Sequence, residues 1–216
     1  MPEPIAAVSF DADDTLWDFA SGWRPAMEHS ARLLGDHHTP EELEEIRNET
    51  AAAMPGAGLG AIRRAAFAES LRRIGEPHPD RAERIYREFL RVRAERTELF
   101  PETRSVLERL AAARIPLAVT TNGTADLAWF GLHEVFPVVV RGGDCGVSKP
   151  DPGIYLVTAG RLGLPPGRVL HVGDHPVEDL AAARAAGLQA LLLDRAGAPA
   201  ESAIGSLEAV ADLLGA

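Results

Sequence analysis

The chain has 216 residues, 46% hydrophobic and 25% charged, with a formal net charge of −10. This is the balance of a soluble globular protein of one or two domains, and its sign argues against nucleic acid or an anionic membrane surface as partners. A single cysteine, Cys145, excludes an internal disulfide and fits a reducing compartment.

No run reaches the length of a membrane helix, and Met1–Pro4 carries no basic leader, so the expected location is the cytoplasm. Of the 22 basic residues, only Lys149 is a lysine. Lysine offers a compact point charge that the planar arginine fork does not.

Ile5 to Phe10 is an apolar run that reads as a buried strand, and Asp11, Asp13 and Asp14 follow at its carboxyl end. Crowded carboxylates cost stability unless a cation sits among them. The competing reading is a solvated acidic turn that caps a helix. Leu16 to Trp23 reads as the exit from this strand. Pro25 then reads as a first helical position, with Met27, Ala31 and Leu34 on one stripe.

Thr39-Pro40-Glu41-Glu42 has the pattern of a capped helix start, Thr39 as cap and Glu42 completing a capping box. Met54 to Gly60 carries three glycines and a proline and reads as a loop. Ile62, Phe67, Leu71 and Ile74 mark the next helix. Another begins near Asp80 and carries Ile85, Phe89 and Val92. No β-rich run falls between Asp18 and Thr97, so this stretch is expected to be a helical bundle inserted after the first strand.

From Phe100 strands and helices alternate. Pro101 opens a helix with Val106, Leu107 and Leu110, and Pro116 to Thr121 is a strand. Asn122 to Phe130 is expected to turn into a helix. Val138 to Val140 is a strand, Asp151 to Gly163 a helix, Val169 to Val172 a strand, and Val177 to Ala186 a helix. Ala190 to Leu193 is the fifth strand, and a last helix runs from Ser206 to Leu214. Alternation of this kind predicts an α/β fold: a Rossmann-like parallel five-stranded sheet formed by residues 1–17 and 98–216, with the helical cap in residues 18–97.

Polar residues follow the first, second and fourth strands: Asp11 and Asp13; Thr121, Asn122 and Gly123; Gly173, Asp174 and Asp179. Lys149 lies in the loop after the third. A parallel sheet gathers these carboxyl ends at one edge, where ligands bind. Each group has a plainer reading alone, as a turn, a helix cap or a surface loop.

Together the four groups resemble the haloacid dehalogenase-like hydrolases, in the branch with a helical cap inserted after the first motif. Asp11-Ala12-Asp13-Asp14-Thr15 is similar to the family's DxDxT, Thr121-Asn122-Gly123 to its second motif, and Lys149-Pro150 to its third. Gly173-Asp174-His175-Pro176-Val177-Glu178-Asp179 is similar to the fourth, GDxxxxD.

The resemblance implies Asp11 as nucleophile, forming an aspartyl-phosphate, and Asp13 as acid and base. It implies Thr121, Asn122, Gly123 and Lys149 around the phosphoryl group. Mg²⁺ would be held by Asp11, the main-chain carbonyl of Asp13, and Asp174, with Thr15 and Asp179 in support. Asp14 stays outside the chemistry.

Within the family, dehalogenases lack an acid where Asp13 stands, and phosphonate-cleaving members need a lysine in or near the cap, which has none here. Mutases usually show glycine at the place of Asp14. The expected activity is Mg²⁺-dependent hydrolysis of a small phosphate monoester, such as a nucleotide or sugar phosphate, by a monomer or homodimer; a phosphomutase or a metal-free dehalogenase is the alternative. A non-catalytic binding protein on this fold would be expected to lack Asp11 or Lys149. The cap is expected to set specificity. Its glycine loop would be mobile, and Arg63 and Arg64 would either bind a second anionic group or form a solvated face. Trp17 and Trp23 would pack the hinge or stack on a ring. His175, in the loop of the fourth motif, would touch solvent or substrate, and Cys145 reads as an inert loop or core thiol.

Overall fold

The computed structural model describes residues 3–124, 126–197 and 203–216. The chain divides into two compact units, one made of Met1–Asp18 with Leu99–Ala216 and the other of Phe19–Glu98.

The first unit is a parallel sheet with strands β1 (Ala7–Phe10), β2 (Leu117–Thr121), β3 (Val138–Arg141), β4 (Val169–Gly173), β5 (Gln189–Leu193) and β6 (Ala203–Ile204). The spatial order is β3-β2-β1-β4-β5-β6 and every pairing is parallel. The sheet therefore has six strands, not the five expected. The extra one, β6, has two residues and takes its strand character from pairing Leu192 and Leu193 of β5 with Ala203 and Ile204. Two residues carry no periodicity to read.

Strand residues alternate between two covered faces. Val8, Phe10, Val119, Leu170 and Val172 face one core with Val106, Leu107 and Leu110 of helix Thr103–Ala112 and Val210 of helix Glu208–Leu214. Val140 and Val169 face the other with Ile154, Tyr155 and Ala159 of helix Gly153–Leu162. Phe10 is fully buried, a burial of about 1.5–3 kcal/mol.

Two expected helices differ. Among the described residues, Asn122 to Phe130 holds a 3₁₀ turn, Leu127–Phe130, and Gly123, near the expected helix start, lies against Asp13. The segment after β4 opens as a π-helical stretch, Pro176–Ala181, before four α-helical residues, Ala182–Ala185.

The second unit holds α1 (Phe19–Leu33), α2 (Pro40–Ala53), α3 (Leu59–Arg73) and α4 (Pro79–Arg96) around Met27, Leu34, Leu43, Phe67, Ile85 and Phe89. The capping box at α2 is formed: Thr39 Oγ1 accepts from Glu42 N at 3.2 Å, and Glu42 Oε2 accepts from Thr39 N at 2.8 Å.

Helix α1 starts at Phe19, so Pro25 lies inside the helix rather than opening it. The reason is packing. Gly22 is buried where a Cβ would collide with Thr97 Oγ1 and meet the Arg93 carbonyl at 2.9 Å. That missing side chain lets α1 seat on α4, and the helix extends back through it. Arg63 is held by Glu44 at 2.8 Å and lies over the Phe89 ring, while Arg64 lies over Tyr86. Trp23 stacks on Phe19.

Candidate active site

The strand order reverses between β1 and β4, which opens a crevice at their carboxyl ends. Asp11 leaves β1 with its N–H donated to Val172 O of β4 at 2.9 Å, so the crevice wall itself fixes it. Lys149 reaches in from the loop after β3. Its Nζ donates to Asp11 Oδ1 at 2.6 Å and to Asp179 Oδ1 at 2.5 Å. Lys149 is 5% exposed, Asp11 8% and Asp179 2%.

The Lys149 main chain is bracketed by Asn122, whose Oδ1 accepts from Lys149 N at 3.0 Å and whose Nδ2 donates to Lys149 O at 3.1 Å. The same Nδ2 lies 3.3 Å from Glu178 Oε2. The side chain of Asn122 therefore acts on Lys149.

Asp179 lies over Gly173, where any Cβ would collide with its carboxyl group. Its oxygens are well occupied. Oδ2 accepts from His175 N at 3.0 Å, and Oδ1 faces Lys149, His171 Nε2 at 3.1 Å and Tyr155 OH at 3.3 Å. Asp174, the next residue after Gly173, has Oδ1 3.4 Å from the Thr15 hydroxyl.

Asp13 stands on the other side of Asp11. Its Oδ1 accepts from Trp17 Nε1 at 2.7 Å, and its Oδ2 lies where a side chain at Gly123 would be. Trp17 is held by stacking on Phe130, with ring centroids 4.7 Å apart. Asp14 takes φ +60°, a left-handed conformation that aspartate tolerates better than most residues. Thr121 Oγ1 accepts from Gly123 N at 2.8 Å, which leaves the hydroxyl hydrogen to point elsewhere.

Burial pushes the Asp11 carboxyl up to about 8, against the opposing pull of Lys149. Burial would also raise Asp179, but the His171 hydrogen bond and the Lys149 charge outweigh it and hold the carboxyl below the usual range. Burial lowers Lys149, yet the two carboxylates more than compensate, so its ammonium persists above the ordinary lysine range. Asp174 is raised by burial and then by Asp179.

Carboxylate oxygens of Asp11, Asp174 and Asp179 come within 4.8 Å of one another. Asp13's carboxyl is not in this cluster; a part for Asp13 in holding metal would fall to its main-chain carbonyl. The donors are all hard oxygens, the ligand type that Mg²⁺ takes. The residues fit Mg²⁺.

Sequence reasoning missed three participants: Trp17 as a partner of Asp13, and His171 and Tyr155 as partners of Asp179. Only His171 left a trace, as the one polar residue in the run Val169 to Val172. His175, expected to touch solvent or substrate, caps the turn after Asp174, its Nδ1 accepting from Val177 N and Glu178 N.

Residues 5–187 match the family model of the haloacid dehalogenase-like hydrolases. The chain belongs to that family. Among curated members it is 32% identical over 179 residues to a phosphoserine phosphatase of Thermus thermophilus, covering 80% of this chain and 68% of that one. It is 31% identical over 203 residues to the 5-amino-6-(5-phospho-D-ribitylamino)uracil phosphatase of Escherichia coli (strain K12), covering 86% and 82%. Among solved structures of this haloacid dehalogenase-like fold, a 2-haloacid dehalogenase from Pseudomonas syringae pv. Tomato DC3000 superposes with a TM-score of 0.83 at 31% identity, over 98% of both chains. No helix among the described residues is long and apolar enough to cross a membrane.

Proposed function

We propose that this haloacid dehalogenase-like hydrolase cleaves small phosphate monoesters, with Asp11 as nucleophile, Asp13 as acid and base, and Mg²⁺ as cofactor. The observation that carries this reading is Asp13. A second carboxyl group, held at 2.7 Å by Trp17 and lying against Gly123, follows two residues after a buried carboxylate that touches Lys149. Carbon–halogen cleavage releases a halide, which needs no proton. An ester oxygen does, and Asp13 is the acid available to supply it. The phosphatase names of both curated relatives support the same choice.

Asp11 Oδ attacks phosphorus and the ester P–O bond breaks. The proton on Asp13 passes to the departing oxygen, leaving an acyl phosphate on Asp11. Asp13, now a carboxylate, takes a proton from water as that water attacks phosphorus. The Asp11–phosphorus bond breaks, inorganic phosphate forms, and Asp13 is protonated again. Lys149 stabilises charge on the phosphoryl oxygens while Asp179 holds its ammonium in place. The Thr121 hydroxyl donates to a phosphoryl oxygen, and Asn122 fixes the Lys149 main chain. Asp11, the Asp13 carbonyl and Asp174 would hold Mg²⁺, which when bound neutralises phosphoryl charge that would otherwise repel Asp11.

The test is phosphate release from a panel of monoesters, with Mg²⁺ and with excess chelator. Release that requires Mg²⁺ and disappears in Asp11→Asn is expected. Halide release from 2-haloacids with no phosphate release from any ester would overturn the reading.

A further inference from the structure

Behind the crevice, the sheet buries an unbroken chain of polar side chains. Thr158 Oγ1 of helix Gly153–Leu162 lies 2.7 Å from Thr120 Oγ1 of β2, which lies 2.8 Å from Ser9 Oγ of β1. Ser9 Oγ lies 3.2 Å from His171 Nδ1 of β4, and His171 Nε2 lies 3.1 Å from Asp179 Oδ1. Ser9 and His171 are register partners on adjacent strands. All four of Ser9, Thr120, Thr158 and His171 are 0% exposed. Four buried polar side chains, three in an apolar sheet and one on the helix against it, are a standing cost unless every one is paired. No step of the phosphatase chemistry uses them directly.

The pairing rules favour one arrangement with a neutral ring. The other neutral tautomer would set a bare Nε2 against the Asp179 carboxylate, with the Tyr155 hydroxyl 3.5 Å away already directed at Glu178 O. The Asp179 carboxylate only accepts, so His171 Nε2 must carry a hydrogen. Nδ1 is then an acceptor, and Ser9 must donate to it. Ser9 Oγ in turn accepts from Thr120, and Thr120 from Thr158, whose one hydrogen then turns away from Ile154 O. The reverse polarity runs from a doubly protonated ring through the hydroxyls to Ile154 O, 3.1 Å from Thr158 Oγ1. That polarity places a full positive charge in a fully buried position some way from water. The ring is 0% exposed, and burial among apolar strand residues disfavours that charge. The Tyr155 and His171 rings pack in a T shape, with centroids 4.7 Å apart.

We propose that His171 is a positioning residue for the phosphatase reaction: the Thr158–Thr120–Ser9 hydroxyl chain sets its Nε2–H tautomer, and that hydrogen aims Asp179 at Lys149. Asp179 Oδ1 meets Lys149 Nζ at 2.5 Å and His171 Nε2 at 3.1 Å, so the two donors share one oxygen and its direction is fixed by both. Without the imidazole donor the carboxylate can rotate, and Lys149 loses the anchor that holds it beside Asp11. The proposal rests on the phosphatase reading for the consequence in catalysis, but not for the tautomer.

Two measurements test it. Nitrogen NMR of the wild-type protein at pH 7 should show the His171 ring neutral, with Nε2 carrying hydrogen and Nδ1 bare. Hydrogen on Nδ1, in either the other tautomer or the charged ring, overturns the proposal whether or not the protein hydrolyses any ester. The second is kinetic. His171→Phe keeps a ring but removes the donor, and kcat should fall roughly 10- to 100-fold with KM little changed. His171→Gln, whose amide N–H can take the place of Nε2–H, should recover most of that loss. His171→Asn, whose amide falls near Ser9 instead, should not. Equal kcat in wild type and His171→Phe, or equal rescue by glutamine and asparagine, overturns it. If His171→Phe does not fold, the glutamine–asparagine comparison and the NMR result decide.

Discussion

Replacing Lys149 with methionine removes the only cation that Asp11 and Asp179 share, and keeps the volume of the side chain almost unchanged. The wild-type ammonium is 2.6 Å from one carboxylate and 2.5 Å from the other, with all three side chains buried. Removing one partner of a buried ion pair costs about 3–5 kcal/mol, because the charge left behind is uncompensated. For a chain of this length each kcal/mol shifts the melting temperature by about 2–4 °C, so Lys149→Met should melt roughly 6–20 °C lower in metal-free buffer at pH 8.

The pH dependence carries a sign. In the wild type, Asp179 is held below the usual carboxylate range, so its contribution is fully present above about pH 4 and is lost only as pH falls below that, toward its depressed value. The deficit of the variant should therefore be full at pH 8 and shrink only as pH falls below about 4. Phosphate release should fall by roughly 100- to 1,000-fold, the loss expected when a donor to developing charge is removed. Differential scanning calorimetry at pH 3 and 8, with a phosphate-release assay at pH 7.5, measures both effects. A variant that melts with the wild type at pH 8, or whose deficit grows toward acid, refutes the reasoning.

Asp11 carries the opposite sign, since burial raises its carboxyl to about 8. Its ionisation in the folded state costs stability as pH rises from about 4 to about 8, so Asp11→Asn should flatten that slope in metal-free melts while abolishing turnover. The only lysine is buried and held as an ammonium, so an amine-acylating reagent should leave Lys149 unlabelled in the native protein and label it in denaturant, as read by peptide mass spectrometry. Trp17→Phe removes the donor to Asp13 Oδ1 and should destabilise the sheet unit by about 1–3 kcal/mol, with a fall in kcat measured beside it. Thr39→Ala breaks the capping box and should cost about 1 kcal/mol in a denaturant titration.

The local sequence was enough for features that close within a few residues or repeat with a fixed period. The capping box spans Thr39 to Glu42 and is decided by those four residues. Five of the six strands show as apolar runs, because burial on both faces of a parallel sheet demands them. The residues after those runs were legible as a site, since a parallel sheet brings its carboxyl ends to one edge whatever the loops between them do. The lone lysine stood out for the same reason that it matters: no arginine presents a compact charge to two buried carboxylates.

What required tertiary structure was every feature decided by a partner distant in the chain. Strand β6 exists because β5 offers it hydrogen bonds, and two residues cannot announce that alone. Helix α1 runs through Pro25 because Gly22 allows contact with α4, some seventy residues on, and that packing overrides the local preference of proline for a first turn. Asp13 turns toward Gly123 and is held by Trp17, and among the described residues the chain after β2 holds a 3₁₀ turn where its composition suggests a helix. His171 sits in an apolar strand because Ser9 and Asp179, from elsewhere in the chain, satisfy both ring nitrogens. A buried polar group is tolerated only where its partners are, and the positions of partners belong to the fold.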